Sequence, residues 1–457
     1  MNKTVAAIST ARGKGGVAMI RISGSEALDV LKRVFIPFVK GDFTPEPRKS
    51  YYGSIVREGL PIDDVTAIYY KAPFSYTGED VCEICCHGGL YVTQAVLEVV
   101  LSAGAEMAGA GEFTKRAYIN GKLSLSKAEA VGQIIDAEND AQLRLSSSVR
   151  RGALSDKLDE IKGKMLELLA RAYVIVDYPD EDLPELERAE MAGMLESINS
   201  ELLRLKRSYR ASRAVCEGIK TAIVGRPNAG KSSLYNALSG EELAIVTDIE
   251  GTTRDVIEHT VSVGDVTLRL ADTAGIRDTA DTVEKIGVER AKQKMQDAEL
   301  VLCVFDASAR ENSEDELILE TVRGKSSVAI INKSDVKRAM SESFEARIKA
   351  EIPRVAYISA KSGEGIDELG KILNKMYELD EIELGMGAII SNARQASSLA
   401  TSLERVSEAC ELLKIGESAD VVCFSLESAL SALEEIDARA ISEEIVNQIF
   451  SRFCVGK

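Results

Sequence analysis

The segment Gly225-Arg-Pro-Asn-Ala-Gly-Lys-Ser-Ser233 has the pattern of a phosphate-binding P-loop. The apolar run Thr221-Ala-Ile-Val224 before it predicts a buried strand, and residues 232–238 after it predict a helix. The loop needs this context, because its backbone N–H groups and the positive end of the helix dipole together bind phosphate oxygens. The motif therefore constrains the middle of the chain to fold as an α/β nucleotide-binding domain.

The side chains of the P-loop suit a nucleotide that is bound with Mg²⁺. Lys231 is placed to reach the β- and γ-phosphates, and the Ser232 hydroxyl is placed to bind the metal ion. The predicted nucleotide contacts in the loop are Asn228, Ala229, Gly230, Lys231, Ser232 and Ser233.

Three further motifs follow in the order found in GTPases: Asp272-Thr-Ala-Gly275, Asn332-Lys-Ser-Asp335 and Ser359-Ala-Lys361. Each follows a predicted strand, at residues 266–271, 327–331 and 355–358 respectively. Any one of them could be a simple turn after a strand, but that interpretation does not account for the ordered set. The Asp335 carboxylate can accept two N–H bonds from guanine, which adenine cannot donate, so the sequence predicts GTP rather than ATP.

Two segments are predicted to sense the γ-phosphate. Gly251-Thr-Thr-Arg-Asp255 lies where a switch loop should carry a Mg²⁺-binding threonine, and the Gly275 N–H can meet the γ-phosphate. The remaining predicted GTP contacts are Thr247, Asp248, Ile249, Glu250, Gly251, Thr252, Thr253, Asp272, Thr273, Ala274, Gly275, Asn332, Lys333, Asp335, Ser359, Ala360 and Lys361.

Ile276 stands where Ras-like enzymes have the glutamine that orients the attacking water. Because isoleucine cannot do this, hydrolysis needs other assistance. Asn228 could help to hold a monovalent cation that supplies positive charge, and Glu284 could position water. On residue type alone, a glutamate such as Glu284 is more often a solvated residue at the start of a helix.

The overall composition limits the classes of function. The formal net charge is −17 over 457 residues, which argues against a broad nucleic-acid-binding surface and leaves room only for a local or shared RNA contact. No apolar stretch is long enough for a membrane span and no signal peptide opens the chain, so we expect a cytoplasmic protein whose eight cysteines are reduced. With two histidines and no tryptophan, His-based triads are nearly excluded.

Cys82, Cys85, Cys86 and His87 are close enough in sequence to suggest a metal site. The run is prone to form a β-strand, and no second Cys/His cluster completes four ligands. The favoured interpretation is a strand in which cysteine acts as a small hydrophobic residue.

The pattern along the chain predicts α/β plus α architecture, with a Ras-like GTPase domain of mainly parallel sheet and flanking helices inserted in a helical bundle. Strands are predicted at 17–22, 66–70 and 81–85, and helices at 91–103 and 154–169. The predicted domains are an N-terminal α+β domain (1–115), a first helical part (116–215), the GTPase domain (216–379) and a second helical part (380–457).

Several motifs outside the GTPase domain carry a family resemblance. They are Gly15-Gly-Val-Ala-Met-Ile-Arg-Ile-Ser-Gly24, Thr77-Gly-Glu-Asp-Val81, His87-Gly-Gly89, Gly111-Glu-Phe-Thr-Lys-Arg-Ala117, Gly121-Lys-Leu123 and the terminal Phe453-Cys-Val-Gly-Lys457. A cysteine so near a chain end is on its own no more than a frayed tail. Together with a GTPase domain inserted in helices, the set resembles the tRNA modification GTPase family MnmE, also called TrmE, over the whole chain.

The resemblance implies a K⁺-activated GTP hydrolase that works with an FAD-containing MnmG-type partner, which uses NADH. The pair would install an aminomethyl-type or carboxymethylaminomethyl-type group on carbon 5 of the wobble uridine of certain tRNAs. The one-carbon donor would be 5,10-methylene- or 5-formyl-tetrahydrofolate. The resemblance also implies a homodimer through the N-terminal domain, and a heterotetramer or larger complex with the partner.

The family's functional residues transfer to matching positions in this sequence. The resemblance implies folate contacts at Arg21, Glu83, Lys122 and Lys457, K⁺ ligands at Asn228, Thr247, Ile249 and Thr252, and Mg²⁺ ligands at Ser232 and Thr253. It implies catalytic roles for Glu284 in water orientation and for Cys454 in tRNA modification.

Two other functions compete with this interpretation. A ribosome-assembly GTPase of the Era or Der type would resemble only residues 216–379 and would lack the terminal cysteine motif. A non-catalytic scaffold would hydrolyse GTP only incidentally.

Overall fold

The computed structural model describes residues 3–38, 43–177, 185–240, 259–270, 297–379, 387–437 and 443–456. The chain forms two compact units, one of residues 1–132 with 430–457 and the other of residues 133–429. Among the helices in the described ranges, none combines the length and the hydropathy that a membrane span requires.

The first unit contains a seven-stranded sheet. Its strands are β1 (Val5–Ile8), β2 (Val17–Ser23), β3 (Phe35–Pro37), β4 (Ser50–Arg57), β5 (Leu60–Tyr70), β6 (Val81–His87) and β7 (Glu106–Met107). The spatial order is β3-β4-β5-β6-β2-β1-β7, and the pairs are antiparallel apart from β1 with β7. The structure confirms the three strands predicted in this region.

The helices alternate with strands in the sheet regions and follow one another in the bundle. They are α1 (Ala27–Val34), α2 (Leu90–Ser102), α3 (Glu112–Ile119), α4 (Leu125–Ile135), α5 (Asp140–Arg151), α6 (Ala153–Asp177), α7 (Glu185–Cys216), α8 (Lys231–Ser239), α9 (Ser313–Thr321), α10 (Glu342–Glu351), α11 (Ile366–Met376), α12 (Ala393–Ile415), α13 (Ala419–Asp437) and α14 (Glu443–Phe450). The predicted helices at 91–103 and 154–169 are confirmed as α2 and part of α6.

The hydrophobic core of the first unit lies between the sheet and helices α1 and α2. Alternation along β6 places Cys82 and Cys86 in this core, with relative exposures of 0% and 2%. Burial raises the pKa of Cys86 to about 11 and that of Cys82 further still, so both thiols stay protonated at neutral pH. These two cysteines are therefore core residues.

The second unit contains a six-stranded sheet. Its strands are β8 (Ile219–Val224), β9 (His259–Val263), β10 (Val266–Leu270), β11 (Leu300–Asp306), β12 (Ser327–Asn332) and β13 (Val355–Ile358). The spatial order is β13-β12-β11-β8-β10-β9, and all pairs are parallel except the β9–β10 hairpin. Every residue of β11 and β12 is buried, as expected for central strands of a parallel sheet that is covered on both faces.

The helical segments before and after the GTPase domain pack together, so this domain is inserted within a bundle. The Ser407 hydroxyl of α12 donates to the Asn199 side chain of α7 at 3.2 Å. Just before α12, the Ile390 N–H donates to the Ser208 hydroxyl of α7 at 3.1 Å. The predicted fold class, a parallel-sheet domain inserted in helices that follow an α+β domain, is confirmed.

Helix α6 packs in the bundle through one apolar stripe. Its buried apolar residues recur every three or four positions, which is the period of one helix face, and they are Leu154, Leu158, Ile161, Met165, Leu168, Leu169 and Ala172. Leu158 is fully buried, whereas Leu166 on the same helix has 54% of its surface exposed.

We expect Leu158→Ala to lower the free energy of unfolding by about 2–5 kcal/mol, because it removes buried methyl groups and leaves a cavity. Leu166→Ala is the matched control and should change stability by no more than about 0.5 kcal/mol. Urea denaturation followed by circular dichroism would compare the two midpoints. Equal midpoints would contradict the packing of α6 described here.

Candidate functional site

The candidate nucleotide site lies at the carboxyl edge of the six-stranded sheet. Four parallel strands, β8, β11, β12 and β13, end at this edge, and each leads into a loop that carries polar residues. The P-loop follows β8. The next strands along the chain, β9 and β10, lie on one side of β8, and the later strands β11, β12 and β13 lie on its other side. Such a switch point opens a crevice at the strand ends, where α/β proteins bind ligands.

The P-loop adopts a tight backbone conformation before α8. Gly230 has φ +97°, and a Cβ at this position would lie 2.1 Å from the Asn332 side-chain nitrogen, so only glycine fits. Asn228 also has a positive φ, of 61°, and its side chain is exposed. Ser232 and Ser233 are exposed on the first turn of α8. Their hydroxyls are therefore free to meet a phosphate-bound metal ion.

The Lys231 side chain hydrogen-bonds back to the start of the P-loop. Its Nζ donates to the carbonyl oxygens of Gly225 at 2.7 Å and Arg226 at 2.8 Å. Burial lowers the pKa of Lys231, and the nearby Glu314 carboxylate opposes this shift. The ammonium is thus held beside the loop, where a bound phosphate would offer it a stronger, charged acceptor than these two carbonyls.

The Asn332 side chain joins three loops of the site. Its Nδ2 donates to the Ala229 carbonyl of the P-loop at 2.9 Å, and its Oδ1 accepts from the Ala360 N–H at 3.0 Å. Asn332 is 2% exposed, so both hydrogen bonds are shielded from water. The first residue of the predicted base-recognition motif therefore connects the phosphate loop to the Ser359-Ala-Lys361 loop, while Asp335 stays exposed.

Sequence reasoning missed two buried carboxylates that hold this site. Asp306, at the end of β11, accepts from Lys333 Nζ at 2.6 Å. Burial alone would raise the pKa of Asp306, but the hydrogen bonds from Lys333 and Ser308 outweigh it and lower that pKa. An acidic residue that ends a wholly apolar strand was the signal that could have identified Asp306.

The second missed carboxylate is Asp315, at the start of α9. It accepts from the guanidinium of the P-loop residue Arg226 at 2.9 Å, and the two side chains are 3% and 10% exposed respectively. This pair fixes the P-loop from the side of α9.

Several predicted site residues lie outside the described residues. They are Thr247, Asp248, Ile249, Glu250, Gly251, Thr252, Thr253, Asp272, Thr273, Ala274, Gly275, Glu284 and Lys457. The predicted roles of these residues stay predictions.

Among the folate candidates, Arg21 and Glu83 are partners. They stand opposite each other on β2 and β6, and Arg21 donates twice to Glu83 Oε1, at 2.8 and 2.9 Å. The Arg21 guanidinium lies 5.4 Å from the Tyr76 ring centroid and 5.5 Å from that of Phe113. Both side chains of the pair are about 16–17% exposed, so one face of the pair still reaches solvent.

Lys122 contacts the loop that also carries Tyr76. Its Nζ donates to the Pro73 carbonyl at 3.0 Å, and the Tyr76 hydroxyl shares a 2.9 Å hydrogen bond with Thr114 of α3. The loop of residues 73–78 therefore connects Lys122 to the ring that packs on Arg21.

The last residues of the chain dock on the same helix. The Gly111 N–H, just before α3, donates to the Cys454 carbonyl at 3.3 Å, and Ser9 donates to the Gly456 carbonyl at 2.9 Å. Gly456 has φ +98°, and a Cβ there would lie 2.1 Å from the Ile8 carbonyl oxygen. The Cys454 side chain remains exposed. Thus α3 carries Phe113 under Arg21, and its N-terminus holds the terminal cysteine motif.

Two family models match the chain. One, described as the MnmE helical domain, matches residues 125–454. The other, described as the N-terminus of the GTP-binding protein TrmE, matches residues 4–122.

Known proteins give the same result over the full length. The chain is 40% identical over 463 residues to a tRNA modification GTPase MnmE from Carboxydothermus hydrogenoformans, which covers 100% of both chains. The proteins of the same name from Clostridioides difficile and Thermotoga maritima are each 39% identical, and each alignment covers at least 99% of both chains. A solved structure, the G domain of the T. maritima FeoB iron transporter, covers 35% of this chain and 98% of its own, with 25% identity and a TM-score of 0.25, which is too low to add to the assignment. The full-length similarity and the two domain matches show that the chain belongs to the MnmE, or TrmE, family of tRNA modification GTPases.

Proposed function

We propose that this GTPase is activated by K⁺ and, with an MnmG-type FAD partner, modifies carbon 5 of the wobble uridine of certain tRNAs with a one-carbon unit from tetrahydrofolate. The observation that carries the proposal is the docking of the chain end on α3, which presents Cys454 on the helix that also packs against Arg21. A ribosome-assembly GTPase of the Era or Der type would lack the terminal cysteine motif and hence this arrangement.

The described P-loop fits the proposed ions. The Ser232 hydroxyl and the Asn228 amide oxygen are both exposed at the N-terminus of α8, and both are oxygen donors of the kind that Mg²⁺ and K⁺ accept. Mg²⁺ and K⁺, when bound, neutralise negative charge on the β- and γ-phosphates. Lys231 would bind these phosphates, and Asp335 would bind guanine. Glu284 would orient the attacking water, which is the role of the glutamine that this chain lacks.

The N-terminal residues fit a folate. Both short bonds from the Arg21 guanidinium go to Glu83 Oε1, which leaves the other carboxylate oxygen without a contact to Arg21, and the Tyr70 hydroxyl also hydrogen-bonds to this carboxylate. That oxygen can accept N–H bonds from the pterin, and Lys122 and Lys457 can bind carboxylates of the glutamate tail. Tetrahydrofolate supplies the one-carbon unit when bound.

The β9–β10 hairpin supports a mechanical connection between GTP hydrolysis and tRNA modification. It joins the switch loop of residues 247–254 to Asp272 in sequence, and its middle is held by the helical bundle. The buried Thr267 hydroxyl accepts from Gln142 at 3.3 Å and from Asn139 at 3.4 Å, and donates to the Val215 carbonyl at 2.7 Å. We infer that changes in the switch segments reach α5 and α7 through this hydroxyl.

We expect GTP hydrolysis by the purified protein to be at least about tenfold faster in KCl than in NaCl at matched ionic strength, a small share of the about 10³–10⁵ that an arginine finger supplies. Asn228→Gly should abolish the K⁺ advantage, because glycine keeps the positive φ but removes the amide oxygen. Asn236→Gly, at an exposed position of α8, is the control and should keep the ratio of the two rates. Equal wild-type rates in both salts would refute K⁺ activation.

We expect Cys454→Ser to keep K⁺-stimulated GTP hydrolysis and to lose tRNA modification by at least about a hundredfold, as for an essential reacting group. Cys410→Ser in α12 is the matched control and should affect neither activity. Mass spectrometry of nucleosides from tRNA incubated with both partner proteins measures the product. Full modification by Cys454→Ser would show that the exposed thiol has no part in the reaction.

We expect Thr267→Val to uncouple the two activities. Valine keeps the shape of the side chain but removes the hydroxyl that bonds Asn139, Gln142 and Val215, at a cost of about 0.5–1.5 kcal/mol of local stability for each hydrogen bond lost. GTP hydrolysis should stay within about threefold of wild type, while tRNA modified per GTP hydrolysed falls severalfold. Thr260→Val, at an exposed position of the same hairpin, should change neither quantity. An unchanged ratio in Thr267→Val would exclude this route.

A further inference from the structure

The C-terminal half of α7 is the most basic part of an acidic protein. Residues 202–216 contain no aspartate or glutamate, whereas the whole chain has a net charge of −17. The basic residues in this stretch are Arg204, Lys206, Arg207, Arg210 and Arg213. Only Arg213 among them has ion pairs, with Glu217 and Glu299, in the part of the chain that the structure describes.

Lys206, Arg207 and Arg210 form one exposed face of α7. At 3.6 residues per turn they fall within about 100° of the helix circumference, so their charges point into the same solvent region. Within the described ranges, Lys206 and Arg207 make no hydrogen bond or ion pair, and Arg210 contacts only the Tyr377 ring, at 5.9 Å from its centroid. We call these three side chains the α7 basic face.

The α7 basic face continues onto the GTPase domain. Arg210 lines a surface cavity of about 530 Å³ together with Arg354 and Lys375, which are exposed and are the other cations of its wall. Two carboxylates, Glu368 and Glu378, also line it, and Glu368 lies 3.7 Å from Lys371 outside the cavity. The cations outnumber the carboxylates, so the local field along this strip is positive.

The α7 basic face differs from an earlier part of the same helix in how the nearby cations are paired. Earlier on α7, Glu201 binds both Lys157 and Lys164 of α6, at 3.2 and 2.6 Å. The face at 206–210 has no such partners, and its like charges repel one another. A solvated helix face would tolerate these charges, but a face kept clear of acids is what a polyanion needs for binding.

We propose that the α7 basic face, extended by Arg354 and Lys375, binds the sugar-phosphate backbone of the tRNA substrate. The proposal rests on the tRNA modification function of the family, and it supplies the local RNA contact that a chain of this net charge requires. Because the strip covers both the bundle and the last strand and helix of the GTPase domain, β13 and α11, bound tRNA would touch both parts.

The test measures the affinity of the full-length protein for fluorescently labelled, unmodified tRNA over a range of KCl concentrations, with and without the FAD partner protein. In the triple variant Lys206→Gln, Arg207→Gln, Arg210→Gln, we expect binding at about 0.1 M salt to weaken at least about tenfold. The slope of log affinity against log salt should fall in magnitude by about 2, since each lost phosphate contact removes roughly 0.7–0.9. GTP hydrolysis should be unchanged and serves as the check on folding.

A control triple variant, Lys3→Gln, Lys32→Gln, Lys414→Gln, removes the same charge from exposed positions elsewhere. It should bind tRNA like wild type, and an equal loss in both triples would overturn the proposal as a general charge effect. Unchanged tRNA affinity in the α7 triple would also overturn it. If the α7 triple instead loses binding to the FAD partner, the face binds an acidic protein surface. The variant Arg354→Gln, Lys375→Gln should weaken binding further when added to the α7 triple.

The outcomes also separate this inference from the proposed function. If wild type binds tRNA and the α7 triple binds equally well, only the location of the contact is wrong. If wild type fails to bind tRNA both alone and with its FAD partner, the inference and the proposed tRNA chemistry fail together.

Discussion

The buried side-chain amide of Asn332 is the interaction on which the nucleotide site depends. One amide group fixes the distance between the P-loop and the Ser359-Ala-Lys361 loop, with hydrogen bonds of 2.9 and 3.0 Å. The amide supplies both a donor and an acceptor at this point, whereas an aspartate carboxylate could accept from Ala360 but could not donate to the Ala229 carbonyl. The loops predicted to bind phosphate and guanine are thereby held relative to each other, which would reduce the ordering that GTP binding requires.

Around this centre, buried polar groups connect the GTPase domain to the bundle. Thr267 is bonded to α5 and to the end of α7, and Asp265 at the turn of the same hairpin is bonded to Asn374 of α11. A hairpin held at its middle and turn can pass on a displacement of its ends, since the packed interior around it does not deform continuously.

The sequence motifs predicted the strands and the helix that flank the candidate nucleotide loops well, because each motif depends on local chemistry. A P-loop needs its own glycines, and Asn332 needs a preceding apolar strand, which is β12. The roles of Asp306 and Thr267 depend on which distant residues the fold brings near them. The Arg21–Glu83 pair similarly follows from the register of β2 and β6, which no pattern within either strand specifies. The sequence therefore predicts the positions of motif residues more readily than the contacts that each residue makes in the fold.

The proposed RNA contact depends on where the unpaired cations of this acidic protein lie. An acidic protein repels a polyanionic substrate at long range, and screening limits that repulsion to about 8–10 Å at physiological salt. Within that distance, a few unpaired cations decide where an RNA backbone can bind. The α7 basic face meets this condition because residues 202–216 lack any acidic residue, whereas Lys157 and Lys164 are neutralised by Glu160 and Glu201 together. An RNA bound there would lie against the GTPase domain through Arg354 and Lys375, so the same strip would contact both the bundle and that domain.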